Sequence, residues 1–240
     1  MKHHKRSRAA RRSPNRLLAS LPAADQRRLF AILEPVSLPF QHVLLKPEQP
    51  LEKIYFPGSG VFSITQIMKN GRTLEVATVG NEGFIGINAL FGGERWLAGA
   101  LVKVPDDRAQ VMSVSAFQRE MNRGGPFSNI INRYAQGFVS FLMQSVACNA
   151  VHSVEQRCAR WLLTTRDRVG RNDFPMTQEL LALMLGVRRP SVTIAVNALQ
   201  RARLIEYGHK RLLILDRPGL EAASCECYAV VKKFFARLLA

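Results

Sequence analysis

Two short apolar runs separated by one glycine constrain this chain more than any other feature. The first, MTQELLALML, covers residues 176–185, and the second, VRRPSVTIAVNAL, covers 187–199, with Gly186 between them. Leu180, Leu181, Met184 and Leu185 fall at helical spacing in the first run, and Val192, Ala195, Val196 and Leu199 do so in the second. Each run is therefore read as a helix with one buried face, and the tight Gly-Val turn joins them as a helix-turn-helix. Pro190 fits only in the first turn of a helix, where a missing N–H has no intrahelical partner to lose. That placement puts Arg188 and Arg189 at the N-terminal tip of the second helix. In such motifs this tip faces base edges in the DNA major groove.

The distribution of charge points the same way. The chain carries 34 Lys and Arg against 18 Asp and Glu, a formal net charge of +16. Residues 1–16 are rich in Lys and Arg with no acid, residues 17–150 are nearly neutral, and the excess returns in residues 151–240. Basic ends around a neutral middle suit a polyanionic partner, although a merely solvated surface would also carry such charge. Residues 1–16 are too polar to pack and are expected to form a disordered basic tail. Such a tail either adds nonspecific phosphate contacts or only aids solubility.

From residue 17 the texture is globular. LLASLPAADQRRLFAIL, residues 17–33, reads as helical segments broken at Pro22. From Val36 to about Val114 come the β-prone runs HVLLK, KIYF, GVFSITQIM, TLEVATV, ALVKV and AQVMSV, separated by turns such as Asn70-Gly71-Arg72. Asn-Gly between alternating runs is a strong hairpin signal, and many short strands at this spacing indicate an antiparallel jelly-roll barrel. The expected barrel domain spans residues 17–125.

A long helix, residues 126–151, should follow. Ile130, Tyr134, Gly137 and Phe141 form one apolar face, and Ile131, Phe138, Leu142 and Val146 form a second. A helix apolar on two faces must be covered on both, by its own barrel and by a second subunit. Ile130, Tyr134, Gly137 and Phe141 are accordingly placed on a homodimer seam; burial entirely within one chain is the alternative. His152-Ser153 reads as a hinge opening a second domain over residues 152–240. There LIEYGHKRLLIL, residues 204–215, forms two β-prone arms with Lys210 and Arg211 near the tip, suited to a wing on DNA phosphates.

The four cysteines, at positions 148, 158, 225 and 227, show neither a disulfide framework nor the spacing of a zinc ribbon or iron–sulfur site. Cys225-Glu-Cys227 could be a metal or redox pair. Core packing is preferred, because Cys227 falls on the apolar stripe Leu220, Ala223, Cys227, Val230, Phe234, Leu238. No apolar run is long enough to span a membrane, the basic N-terminus lacks the apolar core of a signal peptide, and the cytoplasm is the default compartment. No nucleophile–base pair, carboxylate pair or phosphate loop supports catalysis. No metal or cofactor is expected.

Barrel, long helix and winged helix-turn-helix in this order resemble the Crp/Fnr family of bacterial transcription regulators. The likeness runs from residue 17 onward and is carried by MTQELLALMLGVRRPSVTIAVNALQRARLI and by the barrel phrases IYFPGSGVFSI and VGNEGFIGINALFGG. The resemblance implies an α+β chain and a homodimer joined along the long helix. It also implies a barrel like a cyclic-nucleotide-binding domain acting as sensor, and double-stranded DNA with an inverted-repeat operator as partner. An unidentified small-molecule effector and RNA polymerase are further partners it admits. By the same resemblance Arg189 holds the position of a base-reading arginine, while Thr177, Gln178, Arg188 and Ser191 match backbone-contacting positions, with Thr193 beside them.

Two departures from the family pattern alter the expectation. Pro190 stands where several members carry a base-contacting glutamate, and Ile194 where an arginine is common, so the operator should differ from the well-known sites. In the barrel, members that bind cyclic nucleotides use a glycine-glutamate pair for the ribose and an Arg-Ser or Arg-Thr pair for the phosphate. Here Gly86 is followed by Ile87 and Asn88, and Arg95 by Trp96. Gly86, Asn88, Arg95 and Trp96 mark the candidate effector pocket, and cyclic AMP is not expected to occupy it. The expected function is sequence-specific DNA binding by a homodimeric regulator. A protein- or membrane-docking module using the winged helix as its surface is the alternative.

Overall fold

A computed structural model describes residues 13–93, 95 and 98–239; residues 1–12 of the expected basic tail lie outside the described residues. Residues 13–15, by contrast, are packed. Asn15 is fully buried, its amide donating to the carbonyls of Pro57 (2.9 Å) and Gly83 (2.8 Å). Its side-chain oxygen accepts from the Leu18 N–H and so caps the first helix, α1 (Arg16–Ala19). The expected tail ends early because every polar atom of this asparagine side chain finds a partner, so burying it leaves no hydrogen bond unmade.

After α2 (Ala23–Phe30) come β1 (Glu34–Leu38), β2 (Val43–Leu45), β3 (Lys53–Phe56), β4 (Val61–Ile67), β5 (Thr73–Val79), β6 (Gly99–Val104) and β7 (Asp106–Ser113). They pair antiparallel into two sheets, ordered β1-β7-β3 and β2-β6-β4-β5. The β4–β5 hairpin closes at Asn70-Gly71, where Gly71 takes φ +77 and Met68 N–H reaches the Arg72 carbonyl at 2.8 Å. Ile54, Phe56, Phe62, Phe84 and Val102 build one core. To it α3 (Val114–Arg123) adds Phe117, and α4 (Pro126–Val151) adds Phe127, Ile131 and Tyr134.

α4 stops at His152, whose backbone is extended, and α5 (Val154–Val169) restarts two residues later. Ser153 caps α5 and forms a reciprocal capping box with Gln156, which is why the helix begins there. The chain continues through β8 (Asp173–Pro175), α6 (Gln178–Leu185), α7 (Arg189–Arg201), β9 (Ile205–Gly208), β10 (Arg211–Ile214), α8 (Arg217–Ala223) and α9 (Cys227–Leu238). The sheet β8-β10-β9 closes a second core around Trp161, Leu162, Phe174, Leu181, Val196 and Leu212. At three residues, β8 is too short to show alternation in the sequence. Among the described residues no helix is long and apolar enough to cross a membrane.

The expected seam residues Ile130, Tyr134, Gly137 and Phe141 are buried inside the chain itself. The cause is α9, which leaves the winged helix and lies back along α4. Phe235 packs on Tyr134 and Phe141, and the Phe234 ring fills the space at Gly137, where a Cβ would stand 2.2 Å from it. Phe235 and Leu238 thus belong to the barrel's core rather than to the unit expected over residues 152–240. The face α4 leaves open instead carries Val139, Met143 and Val146, at 52%, 69% and 71% exposure.

The stripe through Cys227 is also corrected. The chain breaks between α8 and α9 at Ser224–Glu226, so Leu220 and Phe234 do not share one helix, and Val230 points outward. Cys227 instead joins Cys148 and Cys225 in a small buried cluster apart from both larger cores.

Candidate nucleic-acid interface

The helix-turn-helix is built by the residues whose spacing predicted it. Leu180, Leu181, Met184 and Leu185 are the buried residues of α6, and Val192, Ala195, Val196 and Leu199 are those of α7. Gly186 ends α6 in the left-handed conformation (φ +65), a geometry that penalises any side chain with a Cβ. Arg188 is the extended N-cap residue of α7, and Pro190 lies in its first turn.

With the apolar stripe turned inward, Arg188, Arg189, Pro190, Ile194, Asn197 and Arg201 line the exposed side of α7. Arg189 Nε lies 3.1 Å from Glu179 Oε1, both side chains being about two-thirds exposed. Thr193 Oγ1 donates to Gln178 Oε1 at 2.8 Å, tying the two helices together at the same end. The Thr177 hydroxyl accepts from the Leu180 N–H and caps α6, and Ser191 is half-buried one residue beyond Pro190. Six of the candidate residues therefore gather around the α6–α7 tip. Ile194, already singled out by the resemblance, extends the same surface with Asn197 and Arg201, which the sequence reading does not name.

The wing turns at His209 and Lys210, both with positive φ, as a two-residue hairpin requires. Lys210 is exposed at the tip. Arg211 is one residue past it, and its guanidinium is forked onto Asp173 of β8. That hydrogen-bonded pairing holds the Asp173 carboxyl below its ordinary value.

In the barrel, Gly86 takes φ +110 ahead of a short 3-10 turn, Ile87–Phe91, and a Cβ there would meet Ile54 Cδ1 at 2.5 Å. Ile87 packs against the barrel core. Asn88 Nδ2 donates to the Arg95 carbonyl (3.4 Å), and Arg95 Nη1 donates to the Glu48 carbonyl (2.8 Å). Trp96 lies outside the described residues.

Residues 35–123 match the family model of the cyclic nucleotide-binding domain, and residues 156–223 match that of the Crp-like helix-turn-helix domain. The chain belongs to the Crp/Fnr family of transcription regulators. No curated protein matches it by sequence. Solved structures show the same fold at low identity. FixK2 from Bradyrhizobium japonicum is 14% identical over 81% of this chain and 98% of its own, with a TM-score of 0.64. TTHB099, a CRP-family regulator from Thermus thermophilus, is 17% identical over 79% and 96%, at 0.65. The c-di-GMP responsive regulator CLP of Xanthomonas campestris is 18% identical over 81% and 100%, at 0.61.

In this Crp/Fnr chain the helix-turn-helix is docked against the barrel through polar groups that neither domain alone would suggest. Trp161 Nε1 of α5 donates to Glu75 Oε1 (3.2 Å), and Ser63 Oγ donates to the other carboxylate oxygen (2.6 Å). Arg168 Nη2 pairs with Glu82 at 2.7 Å, both side chains buried, and also donates to the Thr78 carbonyl. Burial raises the Glu75 carboxyl above its ordinary value and lowers the nearby Lys103 ammonium. These groups hold α5, and with it α6 and α7, against the barrel.

Proposed function

We propose that the chain acts as a homodimeric, sequence-specific DNA-binding transcription regulator whose barrel does not take cyclic AMP. The observation that carries the DNA reading is the α7 tip. Arg188 and Arg189 project at the end of a helix whose opposite face is fully committed to the core. Arg189 presents a fork of donors suited to the O6 and N7 atoms of a guanine, and Arg188, at the cap, is placed for phosphates. Thr177, Gln178, Ser191, Thr193 and Lys210 would flank the backbone. The open face of α4 would join two copies, the barrel would serve as sensor, and the two recognition helices would read an inverted repeat.

The cyclic AMP reading rests on Ile87 and Arg95. Ile87 offers a hydrocarbon where a ribose hydroxyl needs a carboxylate. Arg95 already gives a donor to the Glu48 carbonyl, and the residue after it is a bulky indole rather than a small hydroxyl donor.

Selection from a random duplex library, followed by titration at several salt concentrations, tests the function. Tight, salt-sensitive binding to one inverted repeat over its scrambled version is expected. Equal affinity for both duplexes would overturn the reading. Calorimetric titration with cyclic AMP should give no saturable heat, and one nucleotide bound per subunit at micromolar affinity would refute the sensor half.

A further inference from the structure

The buried cysteine cluster has a fourth member. Cys148 sits in the last turn of α4, His152 follows the end of that helix, Cys225 lies in the α8–α9 link, and Cys227 opens α9. One ligand atom from each, three sulfurs and an imidazole nitrogen, all lie within 4.8 Å of one another. Cys148 Sγ and Cys225 Sγ are 3.5 Å apart, and Cys227 Sγ and His152 Nδ1 are 3.7 Å apart. A tetrahedral zinc ion with bonds of about 2.3 Å to sulfur and about 2.0–2.1 Å to nitrogen places its ligands about 3.5–3.8 Å from one another. The two close pairs already stand at such edges.

We propose that Cys148, His152, Cys225 and Cys227 form a structural zinc site that clamps the hinge between α4 and α5 to the C-terminal link. The surrounding residues fit a metal rather than a packed thiol cluster. His152 turns Nδ1 inward, and its Nε2 lies 3.0 Å from Glu226 Oε2, the carboxylate–histidine arrangement that orients metal-bound imidazoles. Gln144 Nε2 donates to Cys227 Sγ at 3.0 Å, as outer groups do to metal-bound thiolates.

The charge balance agrees. Three thiolates around Zn²⁺ leave one net negative charge, and Arg157 and Arg160 follow His152 in the first two turns of α5. Among the described residues, the buried Nε atoms of these two arginines have no hydrogen-bond partner.

Four protein ligands complete the coordination sphere, so the site is closed and structural rather than catalytic. A two-iron cluster would hold its ligand pairs on separate irons and spread them farther apart than these four. Binding would release the three thiol protons to solvent as the thiolates form. The site joins residues near positions 150 and 226, linking the long helix, the hinge and α9 at one point.

The full-length chain, purified under reducing conditions, is assayed for metal by elemental analysis and by X-ray absorption. About one zinc per chain is expected, with three sulfur and one nitrogen neighbours. Cobalt added to chelated protein should give the intense thiolate charge-transfer bands of a tetrahedral site. Cys225→Ser and His152→Ala should lose the stoichiometric metal, whereas Cys158→Ser, outside the cluster, should keep it. Glu226→Gln, which leaves all four ligands in place, should weaken zinc affinity roughly 10–100-fold. Should Cys225→Ser misfold, the cobalt spectrum of the unaltered protein and the Glu226→Gln affinity decide the matter. Reduced protein that holds no zinc and gives no thiolate bands with cobalt would overturn the proposal. So would zinc retained in full by His152→Ala, or a Cys148–Cys225 disulfide found in place of metal.

Discussion

Arg189 and Arg188 are adjacent in sequence but are expected to do different work. The Arg189–Glu179 pair is exposed, and such pairs are worth about 0–1 kcal/mol, so exchanging Glu179 for a guanine costs little. Arg189→Ala should cost roughly 1–3 kcal/mol and relax preference at one base position per half-site. Arg188→Ala should weaken all sequences equally and make the salt dependence shallower by about one unit per subunit. Site selection and salt titrations on both variants check this, and an unchanged base preference in Arg189→Ala would sink it. Ile194 is expected to add an apolar contact to a base. It is 70% exposed on a helix whose other side is already buried, and a thymine C5-methyl is the partner that suits it. Replacing single thymines by deoxyuridine should weaken the wild type at one position and leave Ile194→Ala indifferent there. A methyl effect that persists in the variant would assign the contact elsewhere.

At the scale of one element, α4 is expected to decide assembly. Its aromatic face is consumed by the barrel and α9, leaving Val139, Met143 and Val146 on a stripe with the small residues Ser140, Ala147 and Ala150. Small and apolar side chains at this spacing let a second helix approach closely. Met143→Glu should therefore yield a folded monomer, read by sedimentation together with an unchanged far-ultraviolet spectrum. A Met143→Glu protein that stays dimeric would move the seam off this helix. Phe141→Glu is expected to behave differently. It places a carboxylate among Phe138 and Phe235, and an unpaired buried charge costs several kcal/mol, so the chain itself should be destabilised. The sequence carried the apolar character of α4 legibly, but Ile131 and Phe138 of its expected second face are buried with the first, and Val139 and Met143 on the open stripe lie on neither face. It could not say which body covers which face, because α9 enters that groove from about a hundred residues away.

For the whole molecule, a few buried polar contacts join the barrel to the winged helix beside the packing of α9 on α4. Arg168 and Glu82 are the main ion pair, at 6% and 7% side-chain exposure, and Gly80 leaves the room that the arginine stem occupies. Breaking such a pair from one side strands a buried charge. Arg168→Met should cost about 3–5 kcal/mol. Adding Glu82→Gln removes the stranded carboxylate and should recover part of that loss. Urea unfolding followed by circular dichroism and by tryptophan fluorescence, with Trp161 at the interface, tests the pair. Equal stability of the wild type and Arg168→Met would mean that the docking is held elsewhere. Because this surface fixes how α7 is presented, the single variant should also alter DNA affinity without touching the reading residues.

What the sequence determined by itself is local. The spacing of eight apolar residues, one glycine that tolerates a left-handed turn and one proline restricted to a first turn specify α6, α7 and the position of both arginines. Each of these constraints acts within one or two helical turns. The strands β2 to β7, the wing strands β9 and β10 and the Asn70-Gly71 hairpin were legible for the same reason, whereas β1 and the three-residue β8 were not. Tertiary structure alone decided that α9 folds back on α4, that Arg168 meets Glu82, and that Cys148 and His152 converge with Cys225 and Cys227. Periodicity reports which face of a segment is apolar, or which residue types it carries. Which distant segment meets that face is settled by packing, where shape, charge pairing and hydrogen-bond satisfaction are decided together across the whole chain.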